Sequence, residues 1–254
     1  MLRVTVLELP ATWGDPRPAL ASVDAELEHG APSDLVLLPE ASLRGYVSPD
    51  GDFDLAPFAE PLDGPTGRAL ADIARRRRTN LVGPLVLAEG EHHYNAMVGF
   101  DRRGEPMFTY RKRHPWLPET WATAGPQPAP VVDIEGARVT IAICYDLHFL
   151  AEDAVEALEA SDLLLFASAW VEEHDTRPAK LAELARAHRV AVANANWGPG
   201  VVHVAGQGGS AILDARGRVL VCASSSVGSA RAPSRRVIRL DADIEVARAT
   251  ADEL

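Results

Sequence analysis

Three residues from separate parts of the chain, Cys144, Glu40 and Lys112, have the types needed for nucleophilic acyl transfer. A cysteine thiolate can attack a carbonyl carbon, a glutamate in a dry pocket can move protons, and a lysine can stabilise the thiolate or an oxyanion. Each also has an ordinary structural explanation: a core cysteine, a solvated loop glutamate and a charged surface run. The elements that carry the three residues decide between these explanations.

Each of the three residues follows a predicted strand. Glu40 comes after the apolar run 34–38, which is typical of a strand that is covered on both faces. Lys112 and Cys144 stand at the ends of two further strand-like runs. Open α/β sheets tend to place ligands beyond their strand ends. The turn after Cys144 would also aim the backbone N–H of Tyr145 at an oxygen that becomes negative during acyl transfer.

The rest of the chain alternates between predicted helices and predicted strands, with hairpins in places. Proline, glycine and apolar spacing predict helices over 16–29, 65–77, 151–160 and 178–188. Apolar runs and turn residues predict strands over 2–8, 34–38, 81–87, 94–101, 106–110, 131–134, 138–144, 163–167, 190–194, 209–214, 218–223 and 235–240. Since we find neither a repeat nor a flexible linker, residues 1–254 are interpreted as a single domain. Its sheets would carry helices on their outer faces, as in a layered α/β sandwich.

The composition excludes several classes of function. A formal net charge of -11 and a pI near 5.2 disfavour nucleic acid and anionic membrane surfaces as partners. The basic run 75–78 ends a predicted helix, where cations complement the helix dipole. No run is apolar for the roughly 18 residues that span a bilayer. The N-terminal segment also lacks the apolar stretch of a signal peptide, so we expect a cytoplasmic protein.

Neither a metal nor an organic cofactor is predicted. The two cysteines, Cys144 and Cys222, both lie in apolar strand-like runs, which indicates no disulfide framework and no zinc-type spacing. The pair His92-His93 is interpreted as surface. The glycine-rich segment 206–209 lacks the spacing of a nucleotide-binding loop and opens no helix.

Six short segments between residues 38 and 146 occur in an order and spacing that match a known family pattern. They are Leu38-Pro39-Glu40 with Gly45-Tyr46, Gly64-Pro65-Thr66, Val82-Gly83, Tyr94-Asn95, Tyr110-Arg111-Lys112-Arg113-His114 and Ile143-Cys144-Tyr145-Asp146. On these segments the sequence resembles the nitrilase superfamily of carbon-nitrogen hydrolases. The resemblance implies a four-layer α-β-β-α sandwich, and it makes a homodimer or higher homo-oligomer the expected assembly.

The resemblance also implies roles for the candidate residues. Glu40 would be the general base, Lys112 the residue that stabilises the oxyanion, and Cys144 the nucleophile. Glu119 lies where the family often carries a second glutamate that positions the lysine or the substrate, with a solvated loop glutamate as the alternative. The implied reaction proceeds through a thioester and needs no cofactor.

The residues after the nucleophile indicate a subclass. Nitrile-cleaving members usually follow the cysteine with tryptophan and glutamate, whereas Tyr145-Asp146 resembles the amidase and carbamoylase branches. We therefore expect an amidase that releases ammonia and a carboxylic acid from a small carboxamide. An N-carbamoyl amidohydrolase and a catalytically silent binding or assembly protein remain alternatives.

The chain departs from the family pattern at two places that border the pocket. Residues 148–151 replace a common Arg-Phe-Pro-Glu, and Asn196-Trp197 replaces a common Asn-Arg pair. Core packing is the alternative role for the aromatic candidates among the pocket residues. The candidate substrate-binding residues are Tyr46, Tyr145, His148, Trp170, His174 and Trp197.

Overall fold

The computed structural model describes residues 1–223 and 236–246. Within these residues the strands are β1 (Leu2–Glu8), β2 (Leu35–Leu37), β3 (Asn80–Glu89), β4 (His92–Phe100), β5 (Pro106–Arg111), β6 (Val132–Ile134), β7 (Ala137–Ile143), β8 (Leu163–Ser168), β9 (Ala191–Asn196), β10 (Ala211–Leu213), β11 (Val219–Cys222) and β12 (Ile238–Ile244). The helices are α1 (Arg17–His29), α2 (Pro65–Arg77), α3 (Leu150–Asp153), α4 (Val155–Glu159) and α5 (Arg177–His188). Short 3₁₀ turns cover Ala56–Phe58 and Cys144–His148.

The described strands form two six-stranded mixed sheets. The first has the order β12-β1-β2-β3-β4-β5 and the second the order β11-β10-β9-β8-β7-β6. Each has three parallel strands at its centre, β1-β2-β3 and β7-β8-β9, with antiparallel strands on both sides. Parallel strands that are covered on both faces read as continuous apolar runs, which is why their positions are visible in the sequence.

The two sheets pack face to face, with helices on their outer sides. One apolar cluster joins Val6 and Leu37 of the first sheet to Ile141 and Leu165 of the second, and Leu181 of α5 belongs to the same cluster. Fully burying a side chain of this size is worth roughly 1.5–3 kcal/mol. A second cluster packs α1 and α2 onto the first sheet. The architecture is the α-β-β-α sandwich that the sequence predicted.

The structure differs from the predicted elements in a few places. The helix predicted over 151–160 is broken into α3 and α4, because Ala154 adopts φ -131° and ψ 15°, outside the helical region. The predicted strand 235–240 begins at a residue outside the described range, and β12 extends to Ile244. Residues 224–235 and 247–254 are not described, so a single domain over 1–254 remains a prediction.

The basic run at the end of α2 forms ion pairs on the surface. Arg76 and Arg77 both contact Asp24 of α1, and Arg77 also contacts Glu28. These pairs give the run a role in joining two neighbouring helices. In the part of the chain that the structure describes, no helix has the length and apolar content to cross a membrane.

Candidate active site

Glu40, Lys112 and Glu119 meet in a buried ionic cluster. Lys112 Nζ donates hydrogen bonds of 2.7 Å to Glu40 Oε1 and of 2.7 Å to Glu119 Oε1. The side chains of Lys112 and Glu40 are 0% exposed, and that of Glu119 is 1% exposed. A buried charge is costly without a partner, so the lysine between two carboxylates offsets the cost of burying both.

The strand directions explain why Glu40 and Lys112 can meet. Glu40 follows β2 and Lys112 follows β5. Strands β2 and β3 are parallel, and two antiparallel pairings then lead from β3 through β4 to β5, so β2 and β5 run in the same direction. The two residues therefore emerge at the same edge of the first sheet. Strand β4 contributes Asn95, whose Nδ2 donates to Glu40 Oε1 at 2.7 Å.

The second oxygen of Glu40 connects the two sheets. The backbone N–H of Ala169, just beyond the end of β8, donates to Glu40 Oε2 at 2.8 Å. Glu40 thus accepts three hydrogen bonds, from Lys112, Asn95 and Ala169. Its neighbour Ala41 has a left-handed backbone with φ 49°, a conformation that is uncommon for a residue with a Cβ. Strained positions of this kind concentrate at functional sites.

Cys144 directly follows β7 and is the first residue of the 3₁₀ turn Cys144–His148. Its φ of 47° is also left-handed, and the residue is 6% exposed. Burial raises the pKa of the Cys144 thiol well above its ordinary value, the charges of Glu40 and Glu119 raise it further, and the charge of Lys112 opposes them. The thiol of Cys144 is therefore neutral, with the charged groups of Glu40 and Lys112 nearby.

Asp146 holds this turn in place. Its Oδ2 accepts hydrogen bonds from the backbone N–H of Ile143 at 3.0 Å and from the hydroxyl of Tyr110 at 2.8 Å. Its Oδ1 accepts the backbone N–H of His114 at 2.9 Å. Burial raises the pKa of Asp146, while these hydrogen bonds lower it. One carboxylate thus ties the turn of Cys144 to both ends of the segment that contains Lys112.

The other ionisable groups of the cluster are shifted by the same surroundings. Burial lowers the pKa of Lys112, but the charges of Glu40 and Glu119 outweigh burial, so its pKa lies above the ordinary value. Burial and the charge of Glu40 raise the pKa of Glu119, with Lys112 opposing them. The hydroxyl of Tyr46, whose pKa is raised well above normal mainly by burial, donates to Glu119 Oε1 at 2.8 Å. Lys112 is therefore a permanent cation held in a fixed position.

A cavity of about 170 Å³ opens onto the sulfur of Cys144. Four of the predicted pocket residues line it: Tyr46, Tyr145, His148 and Trp170. The sequence analysis did not assign the other lining residues to the pocket, which are Trp116, Ala169, Val171 and Glu172. Aromatic rings thus form most of the wall. Gly45 precedes Tyr46 with φ 100°, and a Cβ there would lie 2.1 Å from the backbone oxygen of Thr12, so glycine is needed at this position.

Two predicted pocket residues lie outside the cavity lining. His174 is exposed on the loop before α5 and is absent from the cavity lining. Trp197 is buried behind the wall: its ring contacts that of Tyr46 at 5.8 Å, and its Nε1 donates to the backbone oxygen of Trp170 at 3.0 Å. Trp197 therefore supports two lining residues, and substrate contact by His174 stays a prediction.

Sequence reasoning missed the supporting roles of several residues. Asn196 Oδ1 accepts hydrogen bonds from the backbone N–H of Trp170 and from the hydroxyl of Ser168, both at 3.0 Å, which fixes the end of β8. Asn95 was quoted only as part of a family motif, and the role of Ala169 depends on a backbone N–H. The sequence does not show which group an asparagine in a strand will bind, and it does not show which backbone N–H groups will act as donors in a site.

No cluster of three or more His, Cys, Asp or Glu residues with the arrangement of a metal site occurs in residues 1–223 and 236–246. The two histidines of the pair His92-His93 lie at the start of β4, and His92 is exposed. Both cysteines are free; Cys144 is buried and Cys222 is exposed on β11.

Comparisons with known proteins identify relatives of this chain. Among curated proteins, a hydrolase in the pqqF 5′ region of Pseudomonas protegens is 29% identical over 178 residues, 68% of this chain and 61% of that protein. An (R)-stereoselective amidase of a Pseudomonas species is 27% identical over 257 residues, 100% of this chain and 90% of that protein. The chain thus spans about three fifths of the first relative and nine tenths of the second.

A comparison with solved structures also finds an amidase. A cysteine-to-alanine mutant of the Nesterenkonia AN1 amidase, from the nitrilase superfamily, superposes with a TM-score of 0.78 at 25% identity, covering 95% of this chain and 90% of that chain. A family model described as carbon-nitrogen hydrolase matches residues 4–231. With the sandwich fold and the match over most of the chain, the resemblance found in the sequence is confirmed: the chain belongs to the carbon-nitrogen hydrolase family.

Proposed function

We propose that the protein is a cysteine-dependent amidohydrolase that cleaves small carboxamides through a thioester intermediate, releasing ammonia and a carboxylic acid. The observation that carries the proposal is the buried cluster of Glu40, Lys112 and Glu119 beside the thiol of Cys144. The relatives named as amidases support the same reaction class.

The first half of the reaction forms the thioester. Glu40 takes the thiol proton as the sulfur of Cys144 bonds to the carbonyl carbon, because the neutral thiol is a poor nucleophile and needs a base. The carbonyl oxygen becomes an oxyanion, which the ammonium of Lys112 and the backbone N–H of Tyr145 stabilise. Glu40 then returns the proton to the amide nitrogen, the carbon-nitrogen bond breaks, and ammonia leaves.

The second half regenerates the enzyme. Glu40 removes a proton from a water molecule, whose oxygen attacks the thioester carbon while the same oxyanion contacts operate again. The carbon-sulfur bond breaks, the proton returns to the sulfur, and the carboxylic acid departs. Glu119 acts through Lys112, because its charge and its hydrogen bond from Tyr46 hold the ammonium in position.

Ammonia release from a panel of small amides tests this proposal. Replacing the nucleophile in Cys144→Ala should abolish release, whereas the matched variant Cys222→Ala, at the exposed cysteine, should keep it. Equal rates in wild-type protein and in Cys144→Ala would refute the proposal. If no amide is turned over, the catalytically silent alternative is favoured.

The products also separate the amidase from the carbamoyl alternative. The same residues acting on a ureido group would release carbon dioxide together with ammonia, whereas a carboxamide gives ammonia and an acid. Measuring carbon dioxide and ammonia with an N-carbamoyl amino acid and with a simple amide as substrates decides between the two reactions.

We also propose that the protein acts in the cytoplasm as a homodimer. The two free cysteines are consistent with a reducing compartment, and two-fold dimers are the most frequent oligomers. Light scattering on the purified protein would give the mass of the assembly, and a mass near the 27.3 kDa of one chain would refute the dimer.

A further inference from the structure

His148 is an exposed residue that stands four positions after the nucleophile. It lines the same cavity as Cys144, and its ring stacks on that of Trp170 at 5.9 Å with an interplanar angle of 19°. The ring of Tyr145 lies 5.0 Å away at an interplanar angle of 54°. The imidazole is therefore in contact with two aromatic rings. It occupies the position where the sequence departs from the arginine that is common in the family.

Lys180 of α5 fixes which ring nitrogen of His148 carries a hydrogen. Its Nζ lies 3.3 Å from His148 Nδ1. An ammonium group can only donate, so Nδ1 must be the acceptor and the neutral ring carries its hydrogen on Nε2. Burial and the charge of Lys180 lower the pKa of His148, with Glu172 opposing them, which favours the neutral ring. The ammonium also polarises the ring and makes Nε2–H a better donor.

This donor has no partner within the described residues. The hydrogen bonds found there for His148 involve Nδ1 and not Nε2. The neighbouring acid, Glu172, uses one carboxylate oxygen to accept from Trp170 Nε1 and from the N–H and hydroxyl of Thr176. The cavity that contains Cys144 thus has a polarised N–H donor, on His148, among its aromatic lining residues.

We propose that His148, supported by Lys180, is a specificity-determining residue that donates a hydrogen bond from Nε2 to a neutral hydroxyl or carbonyl oxygen on the acyl chain of the substrate. A carboxylate on the acyl chain is disfavoured, because the ionised side chain of Glu172 lines the same cavity. This inference rests on the proposed amidase function and specifies its substrate class.

Pairs of amides that differ only in the acceptor test the proposal. Lactamide is compared with isobutyramide, in which a methyl group replaces the hydroxyl, and acetoacetamide with isovaleramide, in which a methyl-bearing carbon replaces the ketone. Wild-type protein should prefer the oxygen-bearing member of each pair by about three- to tenfold in kcat/KM, the range expected for one hydrogen bond. Succinamate and valeramide form the charged pair, for which no preference for the carboxylate is expected.

Three variants and one control distinguish the effect of the N–H donor of His148 from the effect of its ring. His148→Phe keeps the stacking on Trp170 but removes Nε2–H, so the preference should fall to about one. His148→Gln restores an N–H donor without the ring and should recover most of the preference. Lys180→Gln removes the polarising charge and should reduce it, whereas Arg186→Gln, which removes a charge from the exposed side of α5, should leave it unchanged.

Each outcome has a defined meaning. Equal kcat/KM within both neutral pairs in wild-type protein, or an unchanged preference in His148→Phe, would overturn the proposal while leaving the amidase function standing. A preference for succinamate would overturn the choice of a neutral acceptor. If no amide of these pairs is hydrolysed in a Cys144-dependent way, the proposed function itself fails, and the assignment of His148 fails with it.

Discussion

The hydroxyl of Tyr110 donates a hydrogen bond of 2.8 Å to Asp146, and both groups are buried. Tyr110 stands two residues before Lys112, and Asp146 stands two residues after Cys144. This single contact therefore connects the strand that positions the cation in the first sheet with the turn that positions the sulfur in the second.

Replacing Tyr110 by phenylalanine should loosen this connection. The substitution leaves one buried oxygen of Asp146 with fewer donors, and we expect a loss of about 1–2 kcal/mol in the free energy of unfolding. We also expect a lower kcat, because the turn of Cys144 is held less firmly. Urea unfolding and steady-state kinetics measure the two effects. Tyr94→Phe is the matched control, since the hydroxyl of Tyr94 has no hydrogen bond within the described residues; equal effects in both variants would contradict the assigned role.

Replacing Glu119 by glutamine should lower activity with little change in the fold. Glutamine can still accept from Tyr46, but the charge that holds Lys112 is gone. We expect kcat/KM to fall by about ten- to a hundredfold, as for the loss of a charge-assisted hydrogen bond. The control is Glu173→Gln at an exposed acid just outside the cavity lining. A similar loss in the control would indicate a general effect of net charge instead.

Replacing Glu40 by glutamine should separate thiol reactivity from turnover. The charge of Glu40 raises the pKa of Cys144, so its removal lowers that pKa and enlarges the thiolate fraction at a given pH. Labelling of Cys144 by methyl methanethiosulfonate should therefore become faster, while amide hydrolysis falls by at least about a hundredfold without its base. Mass spectrometry of proteins that also carry Cys222→Ala measures the labelling of this one thiol. Slower labelling than in the protein with Glu40 would contradict the prediction.

The stability of the protein should decrease in alkaline solution because of Cys144. Its pKa is raised in the folded state above the ordinary value of 9.0, mainly by burial. The unfolded chain therefore releases the proton first, and the stability that is present below pH 9 is lost as the pH rises further, at about 1.4 kcal/mol per pH unit. Urea unfolding of wild-type protein and of Cys144→Ala at pH 8, 9 and 10 tests this. Parallel curves for the two proteins would refute it.

Local patterns in the sequence predicted a layered α/β sandwich, and the family resemblance added the four-layer arrangement that the structure shows. The catalytic roles of Glu40, Lys112 and Cys144 come from the resemblance and stay predictions. The apolar runs before Glu40 and Cys144 are continuous because their strands are covered on both faces, and such runs are visible without any knowledge of their partners. The order of strands and helices then implies sheets with helices on their outer sides. That the strands before Glu40 and Lys112 run in the same direction, which brings the two residues to one edge, became known only from the strand pairing.

Only the tertiary structure decided which side chains are in contact and how those contacts shift their pKa values. That Glu119 accepts from Tyr46, that Ala169 supplies a backbone donor to Glu40, and that Lys180 contacts His148 all depend on sheet register and loop path. The same holds for the break at Ala154 and for the exposed position of His174. The spacing of apolar residues along the sequence shows which segments form buried helices and strands, because that spacing follows the local repeat of each element. Contacts across the sandwich, and the pKa shifts that burial produces, exist only once distant segments are packed together.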